Sequence, residues 1–195
     1  NRDSAREKSN PPTWFLQPST AADAPSFVDL SPKRVAQQLK SANTRSAPGP
    51  DKATYKAWRE ADPDGSLLSV IFQICHLNRK IPSSWKKAEI VLIYKKGDVM
   101  SLDNWRPIAL QSTAYKLYAG LLSHQLAGWA VANGRLSSNQ KAFLPGEGCS
   151  EHIFTLQAAL EDSRRHKKNI YVAWLDLRNA FGSVPHSTLL EMLTF

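Results

Sequence analysis

Cysteine is scarce in this sequence: Cys75 and Cys149 are the only two among 195 residues. Two thiols build no disulfide framework, and so few of them fit a reducing compartment. Long hydrophobic runs are missing as well, since none approaches the roughly 18 residues that a membrane span needs. The chain begins NRDSAREKSN, with neither an initiator methionine nor the apolar segment of a signal peptide. It ends HSTLLEMLTF, inside an apolar-periodic stretch without a capping residue, so both ends read as those of a fragment. Acidic residues are outnumbered, 17 Asp and Glu against 25 Lys and Arg, for a formal charge of +8. That excess points to a polyanionic partner, nucleic acid before membrane, and does not separate binding from catalysis. What is present suits a folded domain. Hydrophobic residues make up 42% and aromatics 9%, which excludes wholesale disorder and supplies a sizeable core for one domain or part of a larger one.

Residues 1–30 are rich in Pro, Ser and charge, with Trp14, Phe15 and Leu16 as a short apolar island, and read as a flexible lead-in. Ser31-Pro32 opens a short helix, an N-cap hydroxyl followed by Pro in the first turn, with Val35 and Leu39 four apart. SAPGPDKATYKAW (46–58) is turn chemistry in which Asp51 can cap a helix start. Residues 66–79 set Leu67, Val70, Ile71, Ile74, Cys75 and Leu77 at helical spacing, which predicts a helix facing the core with those side chains. AEIVLIY (88–94) is a β-branched strand, KKGD (95–98) a turn, and WRPIAL (105–110) a returning edge strand, because Pro107 cannot donate to a ladder. A long helix over 112–132 carries Leu117, Leu121, Leu122, Leu126 and Trp129 on its apolar side and stops at Asn133-Gly134. A loop then leads to a helix over 151–165, a buried strand NIYVAWLDL (169–177), a sharp turn and a last helix from about residue 187. The order divides into the lead-in, a body over 31–168, and a final strand and helix over 169–195.

Two groups of residues carry chemistry. In LDLRNAFGSVPH (175–186), Asp176 lies at the C-terminal end of an apolar strand where the chain turns toward a helix. A carboxylate there is costly to bury unless cations or donors meet it. Hard cations such as Mg²⁺ take such oxygen ligands, and the tight turn at Asn179 and Ala180 can cradle phosphate oxygens. The plain alternative is that Asp176 only caps the turn. The second group is at the hairpin: Lys95 ends one strand and Arg106 begins the next, so antiparallel pairing brings both cations to one end. Arg offers phosphate a bidentate fork and Lys a mobile point charge, unless both merely decorate a solvated tip.

At these residues the sequence resembles a known family. LDLRNAFGSVPH is similar to the first palm motif of reverse transcriptases, in which an Asp, four intervening residues and an aromatic recur. SAPGPDKATYKAW, IPSSWKKAEIVLIYKKGD, NWRPIALQSTAYKLYAGLLSHQL and LSSNQKAFLPGEGCSEHIFTL precede it in the family's order, so the resemblance covers about residues 46–195. The SAPGPD block and the long connection from Lys95 to Arg106 resemble the non-LTR, LINE-type retrotransposon enzymes rather than retroviral ones.

The resemblance implies a mixed α/β, helix-rich fold: polymerase fingers with a β-hairpin packed on helices, plus the first strand and helix of a palm whose sheet is incomplete. It implies that Asp176 binds two Mg²⁺ ions with the Leu177 carbonyl as a further ligand. Asn179 and Ala180 would give backbone amides to the triphosphate, and Phe181 would pack under the sugar and favour dNTPs over rNTPs. Lys95 and Arg106 match the cations that close on the β- and γ-phosphates, with Lys96 as the alternative to Lys95 because the register of KKGD is open by one. Gln140 and Phe143 fall in the block near the template. RNA template, DNA primer and dNTP are the implied partners, no membrane is, and nuclear work is expected. One metal ion would activate the primer 3′-hydroxyl and the other stabilise the leaving pyrophosphate.

Two departures stand out. Gly182 occupies a position where many relatives have a second Asp, and the downstream F/Y-x-D-D carboxylates do not occur before Phe195. The expectation is therefore a piece of an RNA-directed DNA polymerase that does not extend primers by itself. Two competitors stay open, a non-catalytic RNA-binding remnant and a group II intron-type enzyme. Other signals take plainer readings. Cys149-Ser-Glu-His152 has half the spacing of a zinc site, with no partner half. RRHKK (164–168) suits a nucleic-acid backbone or nuclear signal as well as a helix C-terminus.

Overall fold

The computed structural model describes residues 28–137, 139–144, 146, 148–176 and 184–194. Residues 28–135 belong to one compact unit and 136–194 to a second. The expectations for the lead-in and its Trp14-Phe15-Leu16 island lie outside the described residues.

The first unit is built around Phe72. Helix α1 (Pro32–Ser41) starts at Pro32, whose fixed φ suits a first turn, and buries Val35 and Leu39 one turn apart. Ser31 does not cap it with its hydroxyl as expected. Instead Asp29 Oδ1 accepts from the Ser31 amide at 2.9 Å, and that bond holds the Asp29 carboxyl below its ordinary value. Helix α2 (Tyr55–Ala61) is capped by Thr54, whose Oγ1 accepts from Ala57 N at 3.1 Å. Asp51 is spent on the preceding turn, accepting from Ala53 N at 3.2 Å, so the expected cap moves three residues on. Arg59 of α2 donates to the carbonyls of Leu39, Lys40 and Ala42 and so ties α2 to the end of α1.

Helix α3 (Ser66–Leu77) begins where the buried Asp62 carboxylate accepts from the amides of Leu67 (3.0 Å) and Leu68 (2.9 Å), a cap that also suits the positive helix end. It buries Leu68, Ser69, Phe72 and Cys75, with Ile71 partly covered. The expected face is therefore corrected: Leu67, Val70, Ile74 and Leu77 point to solvent. Apolar residues run around the whole helix, so spacing could not choose a side. Phe72 decides it by packing against Tyr118 (5.3 Å between ring centroids) and edge-on to Trp85 (6.1 Å). Trp85 sits in a single 3₁₀ turn, Ser83–Lys86.

Strands β1 (Ala88–Tyr94) and β2 (Trp105–Gln111) form an antiparallel ribbon in register from Ala88 opposite Gln111 to Tyr94 opposite Trp105. Every residue of β1 and residues 106–109 of β2 are exposed, so the expectation of a hairpin packed on helices is corrected: most of its length is uncovered, and only the ends of β2 are partly covered. Its base is held firmly. The position of a Cβ on Gly49 would lie 2.4 Å from the Gln111 carbonyl carbon, so the SAPGPD turn lies directly on the end of β2. Thr113 Oγ1 donates to Ala53 O at 2.8 Å and accepts from the Trp58 indole at 3.0 Å. Helix α4 (Thr113–Ala132) follows and buries Thr113, Ala114, Leu117, Tyr118 and Leu121. Leu126, expected on the apolar side, is exposed, because only the first half of α4 lies on the core.

The second unit contains α5 (Gly148–Arg165) and α6 (His186–Thr194). The strand expected over 169–177 is corrected as far as it is described: residues 169–176 pair with nothing and are exposed, Trp174 by 79% and Leu175 by 96%. A strand needs a neighbour to take its backbone hydrogen bonds, and no described segment supplies one. Among the described residues no helix is long and apolar enough to cross a membrane.

Candidate active site

The free end of the hairpin gathers the first group of candidate residues. Ile93 pairs with Arg106, and beyond the last ladder pair the Lys95 amide donates to Asn104 O at 2.8 Å. Side chains alternate along a strand, so Ile93, Lys95 and Arg106 share one face, with Lys95 diagonal to Arg106. Such diagonal neighbours stand about 7–8 Å apart, close enough for two long side chains to meet one ligand. Both cations are exposed, and neither makes an ion pair among the described residues. Lys96 lies past the ladder, in the bend of the turn.

The connection between the two cations is clasped by its own side chains, a feature the sequence reading missed. Tyr94 Oη donates to Gly97 O at 2.5 Å, Asn104 Nδ2 to Asp98 O at 2.8 Å and Trp105 Nε1 to Val99 O at 2.9 Å. The Tyr94 and Trp105 rings pack at 5.4 Å. Gly97 has φ +100° and lies against the Asn104 amide, a conformation and an approach that favour glycine. The detectable signal was an aromatic on each side of a turn at facing strand ends. The result is two exposed cations at the end of a ribbon whose turn is held by its own side chains.

In the second unit, Gln140 and Phe143 lie in the loop before α5. Gln140 donates from Nε2 to Ala142 O at 3.0 Å, which shapes the loop. Phe143 has φ +63° and is 89% exposed, an aromatic held out in the left-handed region. Both line an open pocket of about 570 Å³ together with Lys141, Gly148, Cys149 and His152. Lys141 Nζ of this lining meets Glu151 Oε2 of α5 at 2.5 Å. That hydrogen bond and charge hold the Glu151 carboxyl below its ordinary value, with a smaller contribution from His152. The sequence reading missed this pair.

Asp176 is exposed at the end of the unpaired segment 169–176. Leu177, Asn179, Ala180, Phe181 and Gly182 lie outside the described residues. The carboxylate of Asp176 is the right donor for a hard cation. Yet among the described residues no three His, Cys, Asp or Glu side chains stand together to hold a metal. The described residues thus supply one candidate ligand and do not make a magnesium site.

Residues 93–195, just over half of the chain, match the family described as reverse transcriptase (RNA-dependent DNA polymerase). The chain is 30% identical over 148 residues to the Pol polyprotein of the type-2 retrotransposable element R2DM of Drosophila melanogaster, covering 76% of this chain and 13% of that protein. It is 29% identical over 149 residues to the Pol polyprotein of the type-1 element R2 of Nasonia vitripennis, covering 76% and 14%. It is also 29% identical over 164 residues to a 149 kDa protein of transposon TX1 of Xenopus laevis, covering 82% and 12%. The chain therefore spans about one eighth of the length of these three relatives. It belongs to the reverse transcriptase family, and its relatives are proteins of non-LTR retrotransposons.

Proposed function

We propose that this member of the reverse transcriptase family is the fingers, and the start of the palm, of an RNA-directed DNA polymerase that adds dNTPs to a primer 3′-hydroxyl on an RNA template. The observation that supports the reading is that Lys95 and Arg106 both stand at the clasped end of the ribbon, where strand alternation sets them on one face. A triphosphate needs its charge neutralised while the bond to the leaving pyrophosphate breaks, and a fork beside a point charge suits that task. Because both cations stand on a frame already set, little reorganisation is needed at the moment of reaction.

The remaining roles rest on the motif match. Asn179 and Ala180 are proposed to hold the triphosphate through their amides, Phe181 to pack under a deoxyribose, and Gln140 and Phe143 to lie along the template. Asp176 is proposed as one carboxylate of a Mg²⁺ site, with the Leu177 carbonyl beside it. A single carboxylate does not hold two such ions against their hydration, so the 195-residue chain by itself is proposed to be inactive.

The test is RNA-templated primer extension by the longest natural protein that carries this segment, with RNA binding followed in parallel. Asp176→Ala is expected to abolish dNTP incorporation while RNA affinity changes less than about twofold, since its role is chemistry rather than phosphate contact. Undiminished incorporation by the variant overturns the reading. RNA binding by a protein that never incorporates dNTPs would favour a binding remnant instead.

A further inference from the structure

The stretch from Gly65 to Ala88 contains no Asp or Glu, yet it carries His76, Arg79, Lys80, Lys86 and Lys87. The structure folds its last part into a small fixed platform. Helix α3 closes with the Asn78 amide on Ile74 O, the Arg79 amide on His76 O and the Lys80 amide on Cys75 O. The chain then turns through Pro82 into the 3₁₀ turn, whose Trp85 is buried against Phe72 of α3. Trp85 thereby anchors the turn that carries Lys86, and Lys87 after it, to α3 a few residues along the chain from Arg79 and Lys80. Arg79, Lys80, Lys86 and Lys87 are all exposed, and none makes an ion pair among the described residues.

Arg79 is also where glycine is ordinarily found. It has φ +50°, at the helix-closing position that Gly134 fills at the end of α4, with φ +61° and the same i to i−5 amide bond, from Arg135 N to Ala130 O. A side chain in the left-handed region costs stability that glycine avoids. The helix dipole calls for about half a unit of positive charge at its C-terminus. One cation meets that, and Lys86 and Lys87 belong to another element altogether.

We infer that Arg79, Lys80, Lys86 and Lys87 form a contact surface for the phosphate backbone of single-stranded RNA. The choice of RNA among polyanions rests on the proposed function. The exposed Ser83 and Ser84 between the cations add neutral donors that phosphate oxygens accept. The surface is separate from the hairpin end: Lys87 and Lys95 flank β1, about 26 Å apart along an extended strand. It therefore grips the strand away from the incoming nucleotide, without reading its sequence.

The experiment measures binding of the 195-residue chain to an unstructured 20-nucleotide RNA by fluorescence anisotropy, in KCl from low to moderate concentration. Each phosphate contact with a single strand contributes about 0.7 to the slope of log K against log salt. The variant Arg79→Gln/Lys80→Gln/Lys86→Gln/Lys87→Gln is expected to flatten the slope by about 2.8 on that scale, whereas Lys40→Gln on α1 leaves it unchanged. Arg79→Gly supplies a readout independent of folding damage: the glycine suits φ +50°, so melting temperature holds or rises while RNA affinity falls. RNA binding with an unchanged slope in the fourfold variant overturns the inference and leaves the polymerase reading standing. Loss of binding only to vesicles of anionic phospholipid assigns the surface to membranes and overturns it too. A wild-type chain that binds no RNA overturns the inference, while the polymerase reading stands or falls with primer extension by the longer protein.

Discussion

Gly49 and Gln111 are 62 positions apart in sequence and in direct backbone contact, since a Cβ on Gly49 would stand 2.4 Å from the Gln111 carbonyl carbon and 2.5 Å from Ser112 N. The atoms it would meet are main chain at the junction of β2 and α4, which cannot swing aside as a side-chain tip can. Gly49→Ala is expected to destabilise the first unit by about 1–3 kcal/mol, the usual cost of overpacking. Thermal unfolding followed by circular dichroism reads it out, and an unchanged midpoint would contradict the contact.

Thr113 holds the same junction through hydrogen bonds. Its fully buried hydroxyl stands between the Trp58 indole and the Ala53 carbonyl. Thr113→Val keeps the volume and strands both partners, which is expected to cost about 1–3 kcal/mol. Trp58→Phe removes the indole donor along with its bond. The two substitutions should be markedly non-additive in a double-mutant cycle, and strict additivity would count against the network.

The Lys141–Glu151 pair makes a pH signature. Glu151 has its carboxyl held below the ordinary 4.5 by the Lys141 ammonium. A carboxylate depressed in the folded state stabilises the loop–helix contact fully above its ordinary value, and that contribution is lost as pH falls through the lowered one. Carbon-13 NMR titration of Glu151 should show the low midpoint in the wild type and its return toward 4.5 in Lys141→Met. Equal midpoints in the two proteins would contradict the pairing.

Much of this arrangement is legible in the sequence. The β-branched run at 88–94 and Pro107 in the returning segment predicted both strands of the hairpin, and antiparallel pairing alone placed Lys95 and Arg106 at one end. Helix α3 was legible as a helix but not in its orientation. Leu67, Val70 and Ile74 are as apolar as Leu68 and Phe72, and only the tertiary partners Tyr118 and Trp85 select a side. The run at 169–176 looked like a buried strand because its side chains suit one, but side chains do not supply the neighbouring backbone that a strand requires. The Tyr94, Asn104 and Trp105 clasp escaped notice because it depends on which side chains face one another once the register is set.

The clasped hairpin end is proposed to present Lys95 and Arg106 jointly to a nucleotide triphosphate. The register makes it sharp, because Lys95 shares a face with Arg106 while Lys96 lies in the bend. The most direct measurement is the KM for dNTP in RNA-templated extension by the longest natural protein carrying this segment, compared among Lys95→Ala, Arg106→Ala and Lys96→Ala. Losing a charge-assisted hydrogen bond to phosphate is worth roughly 1.5–3 kcal/mol, so KM should rise on the order of tenfold or more for the first two and about twofold or less for the third. A rise for Lys96→Ala that equals or exceeds that for Lys95→Ala would contradict the account.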